Sequence, residues 1–287
     1  MEQEYILENV DSFNLTHIFE CGQCFRWNRQ PDNSYTGVIK DAVLNVKQEK
    51  DKVIIKGKSE KDLKEVCIEY FDLHEDYRKI KKELSKIDEN LKKSIQYGEG
   101  IRILKQDFWE MIISFIISAN NNIPRIKGII ERISKKYGKE IIWNGNSYYT
   151  FPTPEELHSA SIEDLRSLGL GFRDVRVYET TNMIYSKKVD LEELKNIKDV
   201  EILREKLLEL PGVGPKVADC IMLFSLKKLE VFPIDVWVRR VMSELYFNIE
   251  NNEKTIAPKE IQKLAKEKYG NLAGIAQQYL FYWRREA

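Results

Sequence analysis

Leu210-Pro211-Gly212-Val213-Gly214-Pro215-Lys216 separates two segments with helical hydrophobic spacing, at 199–209 and 215–227. Its two glycines permit a tight turn with positive φ, and its second proline suits the first turn of the following helix, where a missing N–H costs nothing. Such a turn aims free backbone N–H groups outward, which suits a phosphate-sized anion. An ordinary corner between helices is the alternative. The predicted phosphate-binding residues are Gly212, Val213 and Gly214.

Two side chains near this turn carry reactive chemistry. Lys216 falls in the first turn of the second predicted helix, where a cation faces the positive end of the helix dipole. A neutral lysine is a nucleophile that can form a Schiff base with an aldehyde-level carbon. Asp235 begins the next predicted helix. It is read either as a plain cap or as a carboxylate that also stabilises a positively charged transition state. Lys216 and Asp235 are therefore the candidate catalytic residues, and both readings of Asp235 stay open at this point.

Residues 1 to about 58 alternate apolar and polar side chains between turn signals. Asp32-Asn33-Ser34 and Glu49-Lys50-Asp51 are typical of hairpin turns. The pattern predicts an antiparallel sheet with one face available for packing. The predicted strands are Glu4–Val10, Leu15–Glu20, Gln23–Arg29, Tyr35–Ile39, Ala42–Gln48 and Lys52–Lys56.

From Ser59 onward the hydrophobic period is that of helices. Phe108–Ser118 is the most apolar stretch and predicts a buried core helix, whereas Trp143–Pro154 is predicted as a loop. The sequence thus predicts an α+β protein, with an antiparallel β domain and flanking helices at 1–100 and a helical domain at 101–287. The other predicted helices are Lys61–Leu73, charged helix at 75–97, Ile123–Tyr137, 154–160, 162–168, 173–188, 199–209, 215–227, 235–248, 257–269 and 272–285.

Composition excludes several classes of protein. The 287 residues carry 46 basic and 46 acidic side chains, so the chain is not a polybasic binder, although a local basic cleft is compatible with this balance. No apolar run approaches the roughly 20 residues that span a bilayer, and the N-terminus lacks an apolar signal core. Cys21 and Cys24 have the spacing of a zinc pair, but the other two cysteines offer no second pair. We expect no metal, no cofactor and no disulfide framework.

Five motifs in order resemble the helix-hairpin-helix DNA glycosylases, and more narrowly the 8-oxoguanine DNA glycosylase/AP lyases. The resemblance covers nearly the whole chain and includes the absence of a C-terminal four-cysteine cluster. The motifs are Gly22-Gln23-Cys24-Phe25-Arg26-Trp27, Ser118-Ala119-Asn120-Asn121-Asn122-Ile123-Pro124-Arg125-Ile126, Leu168-Gly169-Leu170-Gly171-Phe172-Arg173, the hairpin with Pro233-Ile234-Asp235-Val236, and Ala276-Gln277-Gln278-Tyr279-Leu280-Phe281.

This resemblance implies a β domain similar to the TATA-binding protein, packed on a helical body that bends DNA and flips the damaged base out. Lys216 would attack the sugar carbon and Asp235 would stabilise the developing charge. The implied base-binding residues are Gly22, Cys220, Gln277 and Phe281. The implied DNA-binding residues besides the hairpin are Asn120, which fills the vacated stack, Phe172 as a wedge, and Arg125 and Arg173 on the orphaned cytosine.

The implied partner is duplex DNA with 8-oxoguanine opposite cytosine, bound by a monomer in the prokaryotic cytoplasm or in a nucleus. Two departures from the family pattern are Trp237, where mammalian-type enzymes carry His, and Phe172 in place of Tyr. Two other functions stay open at this point. One is a monofunctional alkyl-base glycosylase that uses Asp235 and water, and the other is a noncatalytic hairpin DNA-binding protein.

Overall fold

The structure, a computed structural model, describes residues 1–50, 52–247, 249 and 256–286. It confirms the predicted α+β class, with an antiparallel sheet near the N-terminus and a helical body after it. Across the described ranges, no helix is long and apolar enough to cross a membrane. Two predicted elements reach positions outside those ranges, at Asp51 and Asn248.

The N-terminal sheet has five antiparallel strands in the order β1-β5-β4-β3-β2. Alternate side chains are buried in β5 and half-buried or buried in β1, which is the pattern of a sheet with one covered face. Four of its five strands lie close to their predicted positions. The strands are β1 Glu2–Glu8, β2 Trp27–Arg29, β3 Tyr35–Ile39, β4 Ala42–Glu49 and β5 Lys52–Lys58.

Two strand predictions in this part are wrong. Leu15–Glu20 is not a strand but contains the short helix α1, Leu15–Phe19, because the Asn14 side chain accepts a hydrogen bond from the backbone N–H of His17 at 3.1 Å and caps it. The strand predicted at Gln23–Arg29 is reduced to β2, because Gln23 is engaged in the interior of the protein.

A second, two-stranded sheet occupies part of the segment that was predicted as a loop. Strands β6 (Glu140–Trp143) and β7 (Asn146–Tyr149) pair as a hairpin. The turn residues Asn144 and Gly145 have φ of 49° and 73°. An Asn-Gly pair with two positive φ values is a strong hairpin signal, so the sequence contained the information that corrects this prediction.

The helical body begins with charged helices and ends at the C-terminal helix. The predicted bounds of Phe108–Ser118 and Ile123–Tyr137 are confirmed. The segment 75–97 forms two helices rather than one. The short helix at 191–196 was not predicted. The helices are α2 Leu63–Tyr70, α3 Tyr77–Leu84, α4 Glu89–Tyr97, α5 Phe108–Ser118, α6 Ile123–Tyr137, α7 Pro154–Leu157, α8 Ile162–Ser167, α9 Asp174–Tyr185, α10 Leu191–Asn196, α11 Val200–Leu208, α12 Pro215–Leu226, α13 Val236–Phe247, α14 Pro258–Tyr269 and α15 Ala273–Glu286.

Helix α5 lies at the centre of the helical body and packs against α12, with the rings of Phe115 and Phe224 stacked at a centroid distance of 5.6 Å. Helix α4 packs on α15, and side chains of α3 and α4 belong to the same hydrophobic core as α5 and α12. The predicted domain boundary at residue 100 stays a prediction, but the hydrophobic packing runs across it.

The sheet and the helical body are joined through the buried amide of Gln23. Its Nε2 donates to the carbonyls of Ile18 at 2.9 Å and Arg102 at 2.8 Å. Its Oε1 accepts the backbone N–H of Leu104 at 2.9 Å, and its own carbonyl accepts Nε2 of Gln106 at 2.7 Å. One fully buried side chain therefore fixes the loop before β2 to the segment that leads into α5.

Glu110 of α5 and Arg26 form a buried contact at the same junction. The Arg26 Nη1 lies 3.9 Å from the Glu110 carboxylate, and Nη2 of Arg26 donates to the carbonyl of Tyr149. Burial raises the pKa of Glu110 to about 7, and the Arg26 charge opposes this effect only in part. The carboxyl group therefore releases its proton less readily in the folded chain than in the unfolded chain.

We expect Gln23→Leu to lower the free energy of unfolding by about 3 kcal/mol, because Leu leaves the buried partners of the amide unsatisfied. Urea denaturation measures the change. The control is Gln30→Leu, since Gln30 makes an exposed hydrogen bond to the carbonyl of Asn28 and its replacement is expected to change stability by about 0.5 kcal/mol or less. Equal losses for the two variants would contradict this role of Gln23.

The raised pKa of Glu110 also predicts a pH dependence. Between about pH 4.5 and about 7 the folded chain binds more protons at this group than the unfolded chain, so its stability falls as pH rises through that window. Glu110→Gln cannot titrate. We therefore expect the stability of the parent, relative to Glu110→Gln, to fall by roughly 2–3 kcal/mol across the window. If the stability difference between the parent and Glu110→Gln stays constant with pH, folding does not shift the pKa of Glu110.

Candidate active site

An open cleft of about 730 Å³ lies between the loop before β2 and the helical body. This volume suits a small-molecule-sized group. Five of the predicted site residues line it together although they are far apart in the sequence. They are Gly22, Asn120, Lys216, Asp235 and Phe281.

The hairpin before α12 places Lys216 at one wall of this cleft. Gly212 has φ of 88°, as predicted, whereas Gly214 has φ of −99° and ψ of 178° and is extended. The prediction of positive φ at Gly214 is therefore wrong. Gly214 instead precedes Pro215 as the N-cap of α12, and a Cβ added there would meet nothing within 4 Å. The backbone at this point is open to a ligand.

The amides of the first turn of α12 are available to an acceptor. The backbone N–H of Ala218 donates to the carbonyl of Gly214 at 2.9 Å and makes the first intrahelical bond. The N–H groups of Lys216 and Val217 precede that bond, as in any helix. The side chain of Val213 is buried in the helical core, and its backbone N–H donates to the carbonyl of Leu210 at 3.0 Å. A phosphate bound at Val213 would therefore share that N–H with Leu210.

Lys216 is half-buried, and its Nζ lies over the ring of Phe115, 5.2 Å from the centroid. Cys220, one helical turn further along α12, is buried close to Lys216. Burial raises the pKa of the Cys220 thiol to about 11, and the neighbouring Lys216 charge opposes the rise. The thiol is thus a protonated neighbour of the amine.

Asp235 caps α13, as one reading of the sequence predicted. Its Oδ1 accepts the backbone N–H of Val238 at 2.7 Å, and its carbonyl accepts the N–H of Arg239 at 2.9 Å. The carboxylate also lines the cleft that contains Lys216. The cap fixes the carboxylate in the same cleft as the amine, so both readings of Asp235 are compatible with one geometry.

Gly22 lies against Phe281 with φ of 84°. A Cβ at this position would lie 3.4 Å from a ring carbon of Phe281 and 3.1 Å from Nη1 of Arg285. The backbone conformation and this close approach both favour glycine. Cys220 and Gln277 are each only 4% exposed and do not line the cleft as the described residues form it. The Gln277 Oε1 accepts Nε2 of Gln278 at 3.0 Å.

The segment with three asparagines follows α5 at the edge of the cleft. Asn120 has φ of 50°, and the Asn122 side chain caps α6 by accepting the backbone N–H of Arg125 at 3.0 Å. Arg173 is 1% exposed and donates to the carbonyls of Ala119 and Asn120 at distances of 2.6–2.8 Å. Arg173, which the family resemblance places on the orphaned cytosine, is therefore buried, and it binds the backbone of Asn120.

The remaining DNA-binding predictions fall on exposed side chains next to this segment. Phe172 is 56% exposed, with the Arg173 guanidinium 4.2 Å from its ring centroid. Arg125 is exposed, and its Nη2 donates to the carbonyl of Gly169 at 3.3 Å. Trp237, the departure noted in the sequence, lines the mouth of the cleft and is 50% exposed.

Sequence reasoning did not single out Phe115 or Arg285. Phe115 reads as one of many apolar residues in α5, and Arg285 as a basic residue in the last turn of α15. The Arg285 guanidinium lies 5.1 Å from the Phe281 ring centroid, and its Nη2 donates to the carbonyl of Glu20. Only the tertiary contacts reveal either residue, because neither stands in a local motif.

The thiols of Cys21 and Cys24 point to backbone carbonyls. They donate to Ile18 at 3.4 Å and Phe19 at 3.6 Å. Burial raises the pKa of Cys21 to about 11 and that of Cys24 further above its usual range. Within the described ranges, no group of three or more His, Cys, Asp or Glu side chains could hold a metal ion.

Comparison with known proteins identifies the family to which the chain belongs. Residues 5–112 match the description "8-oxoguanine DNA glycosylase, N-terminal domain", and residues 113–267 match "HhH-GPD superfamily base excision DNA repair protein". The chain is 35% identical to a probable N-glycosylase/DNA lyase of Methanothermobacter thermautotrophicus, over 70% of this chain and 68% of that protein. It is 30% identical to the N-glycosylase/DNA lyase of Saccharomyces cerevisiae, over 95% and 84% of the two chains.

A solved structure covers the chain throughout. The 8-oxoguanine glycosylase/lyase of Clostridium acetobutylicum, in complex with double-stranded DNA containing cytosine opposite 8-oxoguanine, is 45% identical with a TM-score of 0.93. The match covers 100% of this chain and 98% of that one. The family resemblance predicted from the motifs is confirmed: the chain belongs to the 8-oxoguanine DNA glycosylase/lyase family of the HhH-GPD base excision repair superfamily.

Proposed function

We propose that this chain excises 8-oxoguanine from duplex DNA and then cleaves the strand through a Schiff base on Lys216. The observation that carries the proposal is the position of Lys216 and Asp235 in one cleft with Gly22 and Phe281. Family membership supports the repair function. A monomer acting on genomic DNA, in the prokaryotic nucleoid or in a nucleus, is part of the same proposal, with cytosine as the opposite base.

In the proposed chemistry, the neutral Nζ of Lys216 attacks the C1′ carbon of the flipped nucleotide. The glycosidic bond breaks, and the base leaves with its electron pair and takes up a proton. Opening of the sugar ring converts the new C–N bond into a protonated Schiff base. Loss of a C2′ proton then expels the 3′ phosphate by β-elimination. The Asp235 carboxylate, fixed by its cap bond, would stabilise the positive charge that develops on the sugar.

Gly22 provides the proposed discrimination between 8-oxoguanine and guanine. Its carbonyl would accept the N7–H of 8-oxoguanine, whereas guanine presents a lone pair at N7. A polar group left without a partner in a closed site strongly disfavours the wrong base. Phe281 and Cys220 would contact the two faces of the base, and Gln277 would bind its Watson–Crick edge. The close packing of Phe281 on Gly22 supports this placement.

The rest of the cleft edge is proposed to hold the opened duplex. The hairpin of Gly212, Val213 and Gly214 would bind a backbone phosphate through its amides. Asn120 would occupy the space left by the flipped base, and the exposed ring of Phe172 would wedge beside it. Arg125 and Arg173 would contact the orphaned cytosine, the second from a position that also fixes Asn120.

We expect Lys216→Gln to abolish both strand cleavage and covalent trapping on 8-oxoguanine duplex under borohydride, because Gln has no amine able to form an iminium. Gel electrophoresis separates the cross-linked protein. DNA binding is expected to remain largely intact. The matched control is Lys188→Gln, an exposed lysine, which should trap like the parent. Trapping of Lys216→Gln at the parental rate would assign the nucleophile to another amine. Base release without any trapping in the parent would instead indicate the monofunctional, water-using mechanism.

Asp235→Asn tests the charge separately from the cap. Asn keeps an oxygen that can accept the backbone N–H of Val238, so stability should change by less than about 1 kcal/mol. Base excision measured in single turnover should slow by about 10²-fold or more, since the negative charge is lost. The control is Asp199→Asn, which makes the same change at the N-cap of α11. Equal rates for Asp235→Asn and the parent would limit Asp235 to its structural role.

A further inference from the structure

Arg176 of α9 lies between the hairpin and Phe172. Thr180, one helical turn along the same face, donates its Oγ1 to the carbonyl of Pro211 at 2.9 Å. A Cβ added to Gly212 would lie 3.0 Å from Cδ and 3.1 Å from Cβ of Arg176. This face of α9 therefore packs on the hairpin, with the Arg176 stem against Gly212.

The guanidinium of Arg176 extends from this stem toward the exposed ring of Phe172. Its Cζ lies 5.2 Å from the Phe172 centroid, within the distance of a cation–π contact. Phe172 also contacts Arg173, which binds the carbonyl of Asn120. The proposed wedge, the stack-filling residue and the phosphate-binding hairpin thus form one continuous edge, and Arg176 is an exposed cation on it.

The charge of Arg176 has no acidic partner in the described part of the chain, where no carboxylate lies within ion-pair distance. Asp174, two residues earlier, is already paired with Arg166 at 2.7 Å. Arg125 and Arg173 add two more positive charges nearby. Burial lowers the pKa of Arg173, and the charges of Arg125 and Arg176 lower it further. Three like charges repel one another, so an anion bound beside them would relieve an unfavourable arrangement.

We propose that Arg176 binds a phosphate of the DNA backbone in the space between Phe172 and the hairpin. The proposal rests on the function proposed above. The hairpin offers only neutral amides to the DNA backbone, and Arg176 would add a positively charged contact. A guanidinium presents a planar set of donors that matches two oxygens of a phosphodiester. Because its stem packs on Gly212 and its head on Phe172, Arg176 is already positioned for that contact.

The salt dependence of DNA binding tests the charge. In the Lys216→Gln background, which does not cleave, affinity for an 8-oxoguanine:cytosine duplex is measured over a range of salt concentrations. Arg176→Gln is expected to weaken binding at low salt and to make the log–log slope less negative by about 0.9, the value for one phosphate. Arg176→Lys should keep the parental slope. Arg29→Gln is the control and should also keep it, because Arg29 is an exposed residue at the end of the edge strand β2 and is hydrogen-bonded to Asn33.

Neutral methylphosphonates, placed one at a time in each strand, identify the phosphate. One position is expected to weaken binding of the Lys216→Gln protein but not of the same protein with Arg176→Gln. An unchanged slope in Arg176→Gln, or the absence of any such position, would overturn the contact while the proposed function stands. A parent chain that neither traps nor binds 8-oxoguanine duplex would instead overturn the proposed function. A thermal unfolding scan of Arg176→Gln that matches its parent excludes a loss of fold as the cause of weaker binding.

Discussion

The buried amide of Gln23 is the interaction on which the cleft depends. The residue before it, Gly22, must lie against Phe281 of the last helix, although more than 250 residues separate them. Local structure cannot hold that contact, since the loop before β2 has no regular hydrogen bonding of its own. Gln23 fixes the loop side of that contact, since its side chain satisfies backbone groups of Ile18, Arg102 and Leu104. From the other side, Nη2 of Arg285 on the last helix donates to the carbonyl of Glu20. A buried polar group that is fully hydrogen-bonded specifies a single arrangement, because any shift leaves partners unsatisfied.

Most of the helical body could be predicted from the sequence, because its helices carry strong local signals. Phe108–Ser118 and Ile123–Tyr137 have apolar periodicity and capping residues at their starts, and their bounds are those of the structure. The errors have local causes as well. Leu15–Phe19 is too short for periodicity to separate helix from strand, and its cap at Asn14 decides the outcome. The turn at Asn144-Gly145 was a readable signal that the loop prediction overlooked.

Only part of the site could be predicted from the sequence, and the reason differs from that for the fold. Lys216 and the hairpin stand in a contiguous motif, so their proximity follows from the chain itself. The contact of Lys216 with Phe115, and the burial of Arg173, join segments 54 to 101 residues apart. No periodicity or spacing encodes such contacts, and they depend on how α5 packs against α12 and α9. The neutral overall charge is similarly uninformative, since the basic edge at Arg125, Arg173 and Arg176 is balanced by acidic residues elsewhere.

The arginines on this edge differ in the number of guanidinium N–H donors that are not used in hydrogen bonds within the protein. A guanidinium has five N–H donors. Arg173 makes four hydrogen bonds, two to Ala119, one to Asn120 and one to Leu170, so one donor remains for a ligand. Arg125 makes one such bond, to the carbonyl of Gly169. If both arginines face the orphaned cytosine, as the family resemblance implies, Arg125 has the free donors to bind it. The main contribution of Arg173 would then be to hold Asn120 in its left-handed conformation, as the stack-filling role proposed for Asn120 requires.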